Sequence, residues 1–344
     1  MRCMSSPQKK KIPFTVSEEL NHYLKDVHRT CEQPIHYTDL LRFNASVILY
    51  DKQGNDTLWT TVMYPHHEME ELNRDLTRIY AMLKTGGDVK VMEHLQVDRI
   101  DFCTFGNSKP FRIKIINNYN DNYDYFYIKL PDASRIYGLE WEDILSPNRI
   151  HYLMTNHSLI EEHIVGIPGD QFVKYNLQDP LLNKTRLAKE FVKFNERCFV
   201  MLLGDMRSYN YVVDVTADFD DYQYRIRAFD FDQQCYEGKK TLYMPQYFKE
   251  NKAFVDLCTK QLNPETVNQY QSEERSLITK RLKTSKYRVH QLLKVMQKET
   301  LSSPEKIKQL REELAKHYKD KNYLLCKTMG DILFENLNKL TELR

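Results

Sequence analysis

The sequence predicts an α+β chain of two lobes, a small antiparallel sheet followed by a mostly helical region. Three observations predict it. Alternating apolar runs crowd residues 98–164, helix-period stripes fill residues 251–344, and two acidic signatures flank a strand-rich hairpin between them. The 344 residues can bury a large core and allow roughly two domains. With 28% charged and 41% apolar residues, and only 10 Gly and 12 Pro, the composition is globular rather than disordered or fibrous. A net charge of +2 gives no broad electrostatic footprint for nucleic acid. The 7 cysteines show neither a CxxC pair nor a metal-ligand spacing, which points to reduced thiols and a cytoplasmic setting. The start lacks the apolar run of a signal peptide, and no stretch approaches the ~20 apolar residues of a membrane span.

The front of the chain, 1–97, reads as an accessory segment or as an extension of the N-terminal lobe. After a tail, a helix carries Leu20, Tyr23, Leu24 and Val27 on one side. Ser46–Tyr50 and Thr57–Val62 flank Asp51-Lys52-Gln53-Gly54-Asn55 as a hairpin. A further helix from His67 presents Leu72, Leu76, Ile79, Tyr80 and Leu83 as a stripe and ends at Gly86-Gly87.

Residues 98–164 supply the sheet lobe. Val97–Phe105, Phe111–Ile116 and Tyr125–Lys129 read as consecutive antiparallel strands. Gly106, Asn107 and Ser108, between the first two, form a polar turn that either cradles a phosphate with backbone donors or is an ordinary hairpin turn. Strand alternation puts Lys129 on the same face as Tyr127. Asp132–Leu145 reads as a helix, and an acid on it could hold Lys129: Glu140 first, with Glu142 and Asp143 as alternatives. Two short strands, Ile150–Met154 and Ser158–Ile164, then run into Val165-Gly166-Ile167-Pro168-Gly169-Asp170, an irregular passage. Backbone groups here, from Glu162 and Ile164 onward, are candidates to hold an adenine.

Residues 165–344 carry the chemistry. A helix over Leu181–Val200 feeds Leu203-Gly204-Asp205-Met206-Arg207-Ser208-Tyr209-Asn210. Strands Tyr211–Val215 and Tyr224–Phe229, joined by an Asp-rich turn, lead to Phe229-Asp230-Phe231-Asp232. Such a hairpin brings together an acid that can take a hydroxyl proton, Asp205, and an amide and an acid that can hold magnesium, Asn210 and Asp230. Arg207 is placed to meet a substrate or a phosphate, and Asp232 to assist a second metal ion.

In this order the motifs resemble the protein-kinase-like superfamily, nearer its aminoglycoside and choline phosphotransferases and atypical kinases than the eukaryotic protein kinases. The resemblance covers approximately residues 98–250. It implies a two-lobed protein-kinase-like fold, a small antiparallel-sheet N-lobe and a mostly helical C-lobe, using ATP and Mg2+ to phosphorylate an acceptor hydroxyl. Asp205 then looks like the catalytic acid-base group, Asn210 and Asp230 like magnesium ligands, Lys129 like the phosphate-binding lysine, and Glu140 like its ion-pair partner. The chain departs from the pattern at Leu203, where the branch commonly has the His of His-Gly-Asp. Asp232 stands where Asp-Phe-Gly has its glycine, as in the acidic variant of the small-molecule kinases. With Gly106 as the single glycine of the phosphate turn, the alternative reading is a catalytically inactive kinase-like binding or scaffold protein.

The C-terminal quarter is helical by pattern. Ser303-Pro304 opens a helix with Ile307, Leu310 and Leu314 on one face, and a last helix spans Leu324–Leu343. The basic segment Lys280–Arg288 reads as a solvated helix face, and a protein partner on the C-terminal helices is the alternative to catalysis.

Overall fold

The computed structural model describes residues 11–32, 35–51, 53–85, 93–105, 108–155, 157–219 and 221–342. They fall into two compact units: one of residues up to Asp132 with Ile150–His163, the other of Ala133–Arg149 with residues from Ile164 onward. The first holds an antiparallel sheet and the second is mostly helical.

The first unit contains α1 (Glu18–Asp26), α2 (Tyr37–Leu40), β1 (Ala45–Tyr50), β2 (Asp56–Met63), α3 (His66–Thr85), β3 (Leu95–Cys103), β4 (Phe111–Asn117), β5 (Tyr123–Lys129), β6 (Tyr152–Met154) and β7 (Leu159–Glu162). Ser17 caps α1 by accepting from the Leu20 amide at 3.1 Å. All seven strands form one antiparallel sheet in the order β1-β2-β3-β4-β5-β7-β6. The early hairpin is therefore continuous with the later strands. Alternation assigns the two faces. Phe111, Ile113 and Ile115 of β4, with Phe126 and Ile128 of β5, point to the core, where Leu72, Leu76, Ile79 and Leu83 of α3 cover them. The opposite face carries charge and aromatic rings: Arg112 lies 4.3 Å from the Trp59 ring and donates to Asp101 at 2.7 Å.

The second unit starts with α4 (Ala133–Leu145), followed by β8 (Ile167–Pro168), α5 (Gly169–Tyr175), α6 (Lys184–Met201), β9 (Tyr211–Asp218) and β10 (Asp221–Ala228). Five helices complete it: α7 (Lys252–Gln261), α8 (Pro264–Thr284), α9 (Lys286–Met296), α10 (Pro304–Tyr318) and α11 (Met329–Glu342). The passage expected to be irregular at 165–170 is a short edge strand and the start of a helix. Ile167 and Pro168 pair with Val213 and Val212 at the edge of the sheet β10-β9-β8, a position where proline's missing N–H costs no ladder bond. The last helix begins later than its apolar pattern suggests. Thr328 Oγ1 accepts from the Asp331 amide, and Asp331 Oδ2 accepts from the Thr328 amide, both at 3.1 Å, so a reciprocal cap fixes the start of α11.

Helix α4 is buried on nearly every side, so each of its polar groups needs a partner. One face, Ser134, Arg135 and Gly138, meets residues 229–234; a second, Glu140 and Asp143, meets α9. Arg288 donates to both oxygens of Glu140 at 2.8 Å and to Asp143 at 2.7 Å. Since Glu140 is 0% exposed, Arg288→Met is expected to destabilise the protein by about 3–5 kcal/mol in urea melts. A change below about 1 kcal/mol would show that the pair contributes little.

At Gly138 a Cβ would sit 2.8 Å from Phe231 Cβ, so this helix packs against residue 231 only because position 138 has no side chain. Alanine gains ~1 kcal/mol of helix propensity, but overpacking against a fixed Cβ costs ~1–3 kcal/mol. Gly138→Ala should therefore lower the thermal midpoint and shift the NMR signals of Phe231. A variant as stable as wild type, with Phe231 undisturbed, would contradict the close packing.

Candidate active site

Asp205 sits on the turn that follows α6. Leu202 closes the helix in a left-handed conformation, φ 53°, and Asp205 adopts φ 58°, a region that aspartate tolerates better than most residues. Its amide donates to Leu242 O at 3.1 Å. Arg207 donates from Nε to Asp205 Oδ1 at 2.7 Å and from Nη1 to Glu250 Oε1 at 2.9 Å. The second oxygen of Glu250 is buried and takes no hydrogen bond among the described residues. Asn210 Nδ2 donates to the carbonyl of Asp205 at 2.7 Å, which closes the loop on itself.

The hairpin β9–β10 sets the other acids beside this loop. Tyr211 pairs with Ala228, so Asn210 falls opposite Phe229, and the Phe229 amide donates to Asn210 O at 3.2 Å. Asp230 is the next residue. Tyr209 lies within electrostatic reach of Asp205, Glu250 and Asp230; burial first, then these carboxylates, push its phenol up while Arg207 opposes them. Asp205, Asn210 and Asp230 thus belong to one neighbourhood within the second unit.

Asp230 and Asp232 share a cation that the sequence analysis did not select. Arg135 of α4 donates from Nη1 to Asp230 Oδ1 at 3.1 Å and to Asp232 Oδ1 at 2.8 Å, and from Nη2 to Phe229 O at 2.9 Å. A signal for it existed: an arginine directly before the run Ile136-Tyr137-Gly138-Leu139 must find an acid if the helix is buried all round.

The remaining expected residues divide as follows. Lys129 is 7% exposed and donates to Glu161 Oε2 at 2.8 Å. Sheet register explains the pair: Tyr127 stands opposite Glu161, which puts Lys129 and Glu161 diagonally on one face. Glu140 pairs with Arg288 as described. Glu142, also buried, accepts from Asn148 Nδ2, and burial pushes its carboxyl up against the opposing pull of Arg197. Glu162 accepts from the His151 amide and from Lys84 Nζ, Ile164 is buried in the second unit, and Ser108 is half-buried. Gly106 and Asn107 lie outside the described residues. A groove of about 980 Å3 lined by Lys193, Glu273, Lys280 and Lys283 includes none of these groups.

For magnesium the chemistry of the donors fits. A hard cation prefers oxygen, Asp230 and Asp232 supply carboxylates, and Asn210 spends its Nδ2 on Asp205 and keeps Oδ1 as a donor to a cation. Among the described residues no group of three or more His, Cys, Asp or Glu is disposed to hold a metal ion.

No known protein-family profile matches the chain, and no curated protein matches it. Among solved structures, one similar chain is described as "Titin kinase and its flanking domains". The match covers 71% of this chain and 54% of that one, at 11% identity and a TM-score of 0.27. It is a weak, partial match to a protein-kinase-like fold, spans about half of the other chain, and singles out no family. At that TM-score it carries no argument about chemistry.

Burial pushes the Asp205 carboxyl above the ordinary aspartate range; Arg207 pulls it back, and Glu237 and Glu250 push it further. The folded protein therefore holds this proton more tightly than the unfolded chain does. The stability it contributes is fully present below the ordinary aspartate value of 3.8 and is lost as pH rises through the folded value. Asp205→Asn keeps an oxygen for Arg207 and removes that dependence. In urea melts from about pH 4 to 7 the stability of the variant minus that of wild type should become more positive as pH rises, and a difference that stays constant or falls would refute the assignment.

Proposed function

We propose that the chain is an ATP- and Mg2+-dependent phosphotransferase, moving the γ-phosphoryl group to a hydroxyl on a small molecule or protein. The observation that carries this reading is the Asp205 carboxylate, fixed by Arg207 on a loop closed by Asn210, with Asp230 brought alongside by the hairpin. Its support from the motifs is a resemblance in order and spacing: Asp205, then Asn210, then Asp230-Phe231-Asp232.

In this mechanism Asp205 accepts the proton of the acceptor hydroxyl as the new bond from oxygen to phosphorus forms, and the bond from the γ-phosphorus to the bridging oxygen breaks to release ADP. Arg207 keeps one carboxylate oxygen engaged and so orients the other, while the partial burial of Asp205 moves its carboxyl toward the range where a general base operates. Asn210 and Asp230 would hold magnesium, which when bound neutralises charge on the transferred group. Lys129, kept in one position by its buried pair with Glu161, is proposed as the phosphate-binding lysine. Glu161 thereby takes the part that the resemblance gives to Glu140. A cytoplasmic setting agrees with Cys31, Cys103, Cys198, Cys235, Cys258 and Cys326 all being free thiols. Among the described residues no helix is long and apolar enough to cross a membrane.

The second reading, a kinase-like protein that binds without transferring phosphate, is favoured by one observation. Arg135 already engages both acids of the 230–232 segment. Calorimetric titration with ATP, with and without Mg2+, separates the two readings when combined with turnover on a panel of hydroxyl acceptors. Asp230→Ala should lose Mg2+-dependent nucleotide binding, whereas Asp205→Asn should keep it within a few-fold and lower turnover by roughly 10²–10⁴. Full turnover in Asp230→Ala would remove it from the site, and a folded wild type that binds nucleotide but transfers nothing would favour the second reading.

A further inference from the structure

We propose that the groove along α8 is a docking site for an acidic peptide segment of a partner protein, one that carries an apolar residue between its acids. The inference goes beyond the phosphotransferase reading and does not depend on it, because the groove includes none of the groups assigned to catalysis. The groove, of about 980 Å3, follows one stripe of α8 from residue 269 to 284, and Lys193 of α6 joins it. At ~1.5 Å of rise per residue this stretch of helix is ~22 Å long, the length of an extended segment of about seven residues.

The lining selects an anion. Lys193, Lys280 and Lys283, with Gln269, Ser272 and Thr284, all bring hydrogen-bond donors to the groove. Its acid, Glu273, is already engaged: Lys193 Nζ lies 3.1 Å and Lys189 Nζ 3.8 Å from Oε2, and Gln269 donates to Oε1 at 3.1 Å. The hydrogen bond from Lys193 holds that carboxyl below the ordinary glutamate range. Three lysines and one glutamate leave the lining at +2, equal to the formal net charge of the whole chain, so the positive excess of the protein is matched in this one groove. None of the lining residues is aromatic, so a nucleic-acid base finds no ring to stack on, and peptide carboxylates suit the lysines better than a polynucleotide does.

The cations come from two helices. A helix C-terminus favours positive side chains, which accounts for Lys283 in the last turn of α8 but not for Lys193 of α6 on the same groove. The Lys193 side chain is 12% exposed and fixed by Glu273, so part of the site is organised before a ligand arrives, while Lys280 and Lys283 are exposed. Leu277 adds the apolar contact. It is 41% exposed near the middle of the stripe, whereas Ile278 and Leu282 of the same helix turn inward and are buried.

Fluorescence anisotropy of the full chain with a fluorescein-labelled peptide of three glutamates, one leucine and three glutamates tests the proposal. Wild type should bind it, and less tightly as NaCl rises from about 50 to 300 mM. Lys280→Glu combined with Lys283→Glu should weaken binding by about tenfold or more. Leu277→Ser should weaken it by about threefold and leave an all-glutamate peptide unaffected. The same charge reversal at exposed positions of α10, Lys308→Glu combined with Lys316→Glu, should keep binding within about twofold. Should the reversed groove variant fail to fold, Lys280→Gln combined with Lys283→Gln is expected to weaken binding by about threefold or more. No binding by folded wild type, an equal loss in the α10 variant, no effect of Leu277→Ser, or tighter binding of a labelled oligouridylate than of the peptide would overturn the proposal. Nucleotide binding is measured separately, so the phosphotransferase reading stands or falls on its own titration.

Discussion

The arrangement of the second unit depends on how residues 229–235 are clamped. On one side α4 supplies Ser134, Arg135 and the bare backbone of Gly138; on the other, Gly204 N donates to Gln233 O and Cys235 N donates to Leu202 O. This short segment therefore satisfies its backbone groups against two elements at once, and neither can shift without leaving buried polar atoms unpaired. The clamp fixes Asp230 and Asp232 along one edge and the Asp205 turn along the other. Precise placement of a few acids on loops is achieved here by tying the loops to a buried helix rather than by the loops themselves.

Charge buried away from water is the recurring problem in both units, and it is solved by pairing. In the second unit Arg197, 3% exposed, donates to Glu274 and to the Ile226 carbonyl, while Arg275 donates to Glu196. Burial pushes Glu142, Glu190 and Glu196 up, and nearby arginines oppose the shift in each case. In the first unit Asp101, wholly buried, is shared by Arg99, Arg112 and Thr61. Such pairs add little net stability over an apolar core, but they tolerate few alternative packings, since breaking one leaves an uncompensated charge. Lys129 with Glu161 and Arg135 with Asp230 and Asp232 follow the same rule. At those two places the paired groups also coincide with the chemistry proposed for the protein.

Much of the fold was legible because its signals are local. Alternation in Phe111–Asn117 and Tyr123–Lys129 gives strands whose inward residues are the core, and the stripe Leu72, Leu76, Ile79, Leu83 gives the helix that covers them. Ser303-Pro304 opens α10 as its capping chemistry requires, with Ser303 accepting from the Lys306 amide. The order of Asp205, Asn210 and Asp230 was equally readable, and the hairpin between them follows from two β-rich runs around an acidic turn. Partner choice was less legible. Among Glu140, Glu142 and Asp143 no periodicity could select a partner for Lys129, and the acid that pairs with it, Glu161, comes from a strand that only sheet register aligns.

The sequence by itself determined the elements, their order and the inventory of groups able to do chemistry, since helix and strand periods, caps and turn residues act over a few neighbouring positions. Tertiary structure alone decided which charges meet. Arg135 reaches Asp230 and Asp232 across almost a hundred residues because Gly138 lets α4 approach Phe231, and Glu140 goes to Arg288 because it lies on a different face of the same helix. Those contacts follow from packing distances between remote segments, and no property of the residues taken singly contains them.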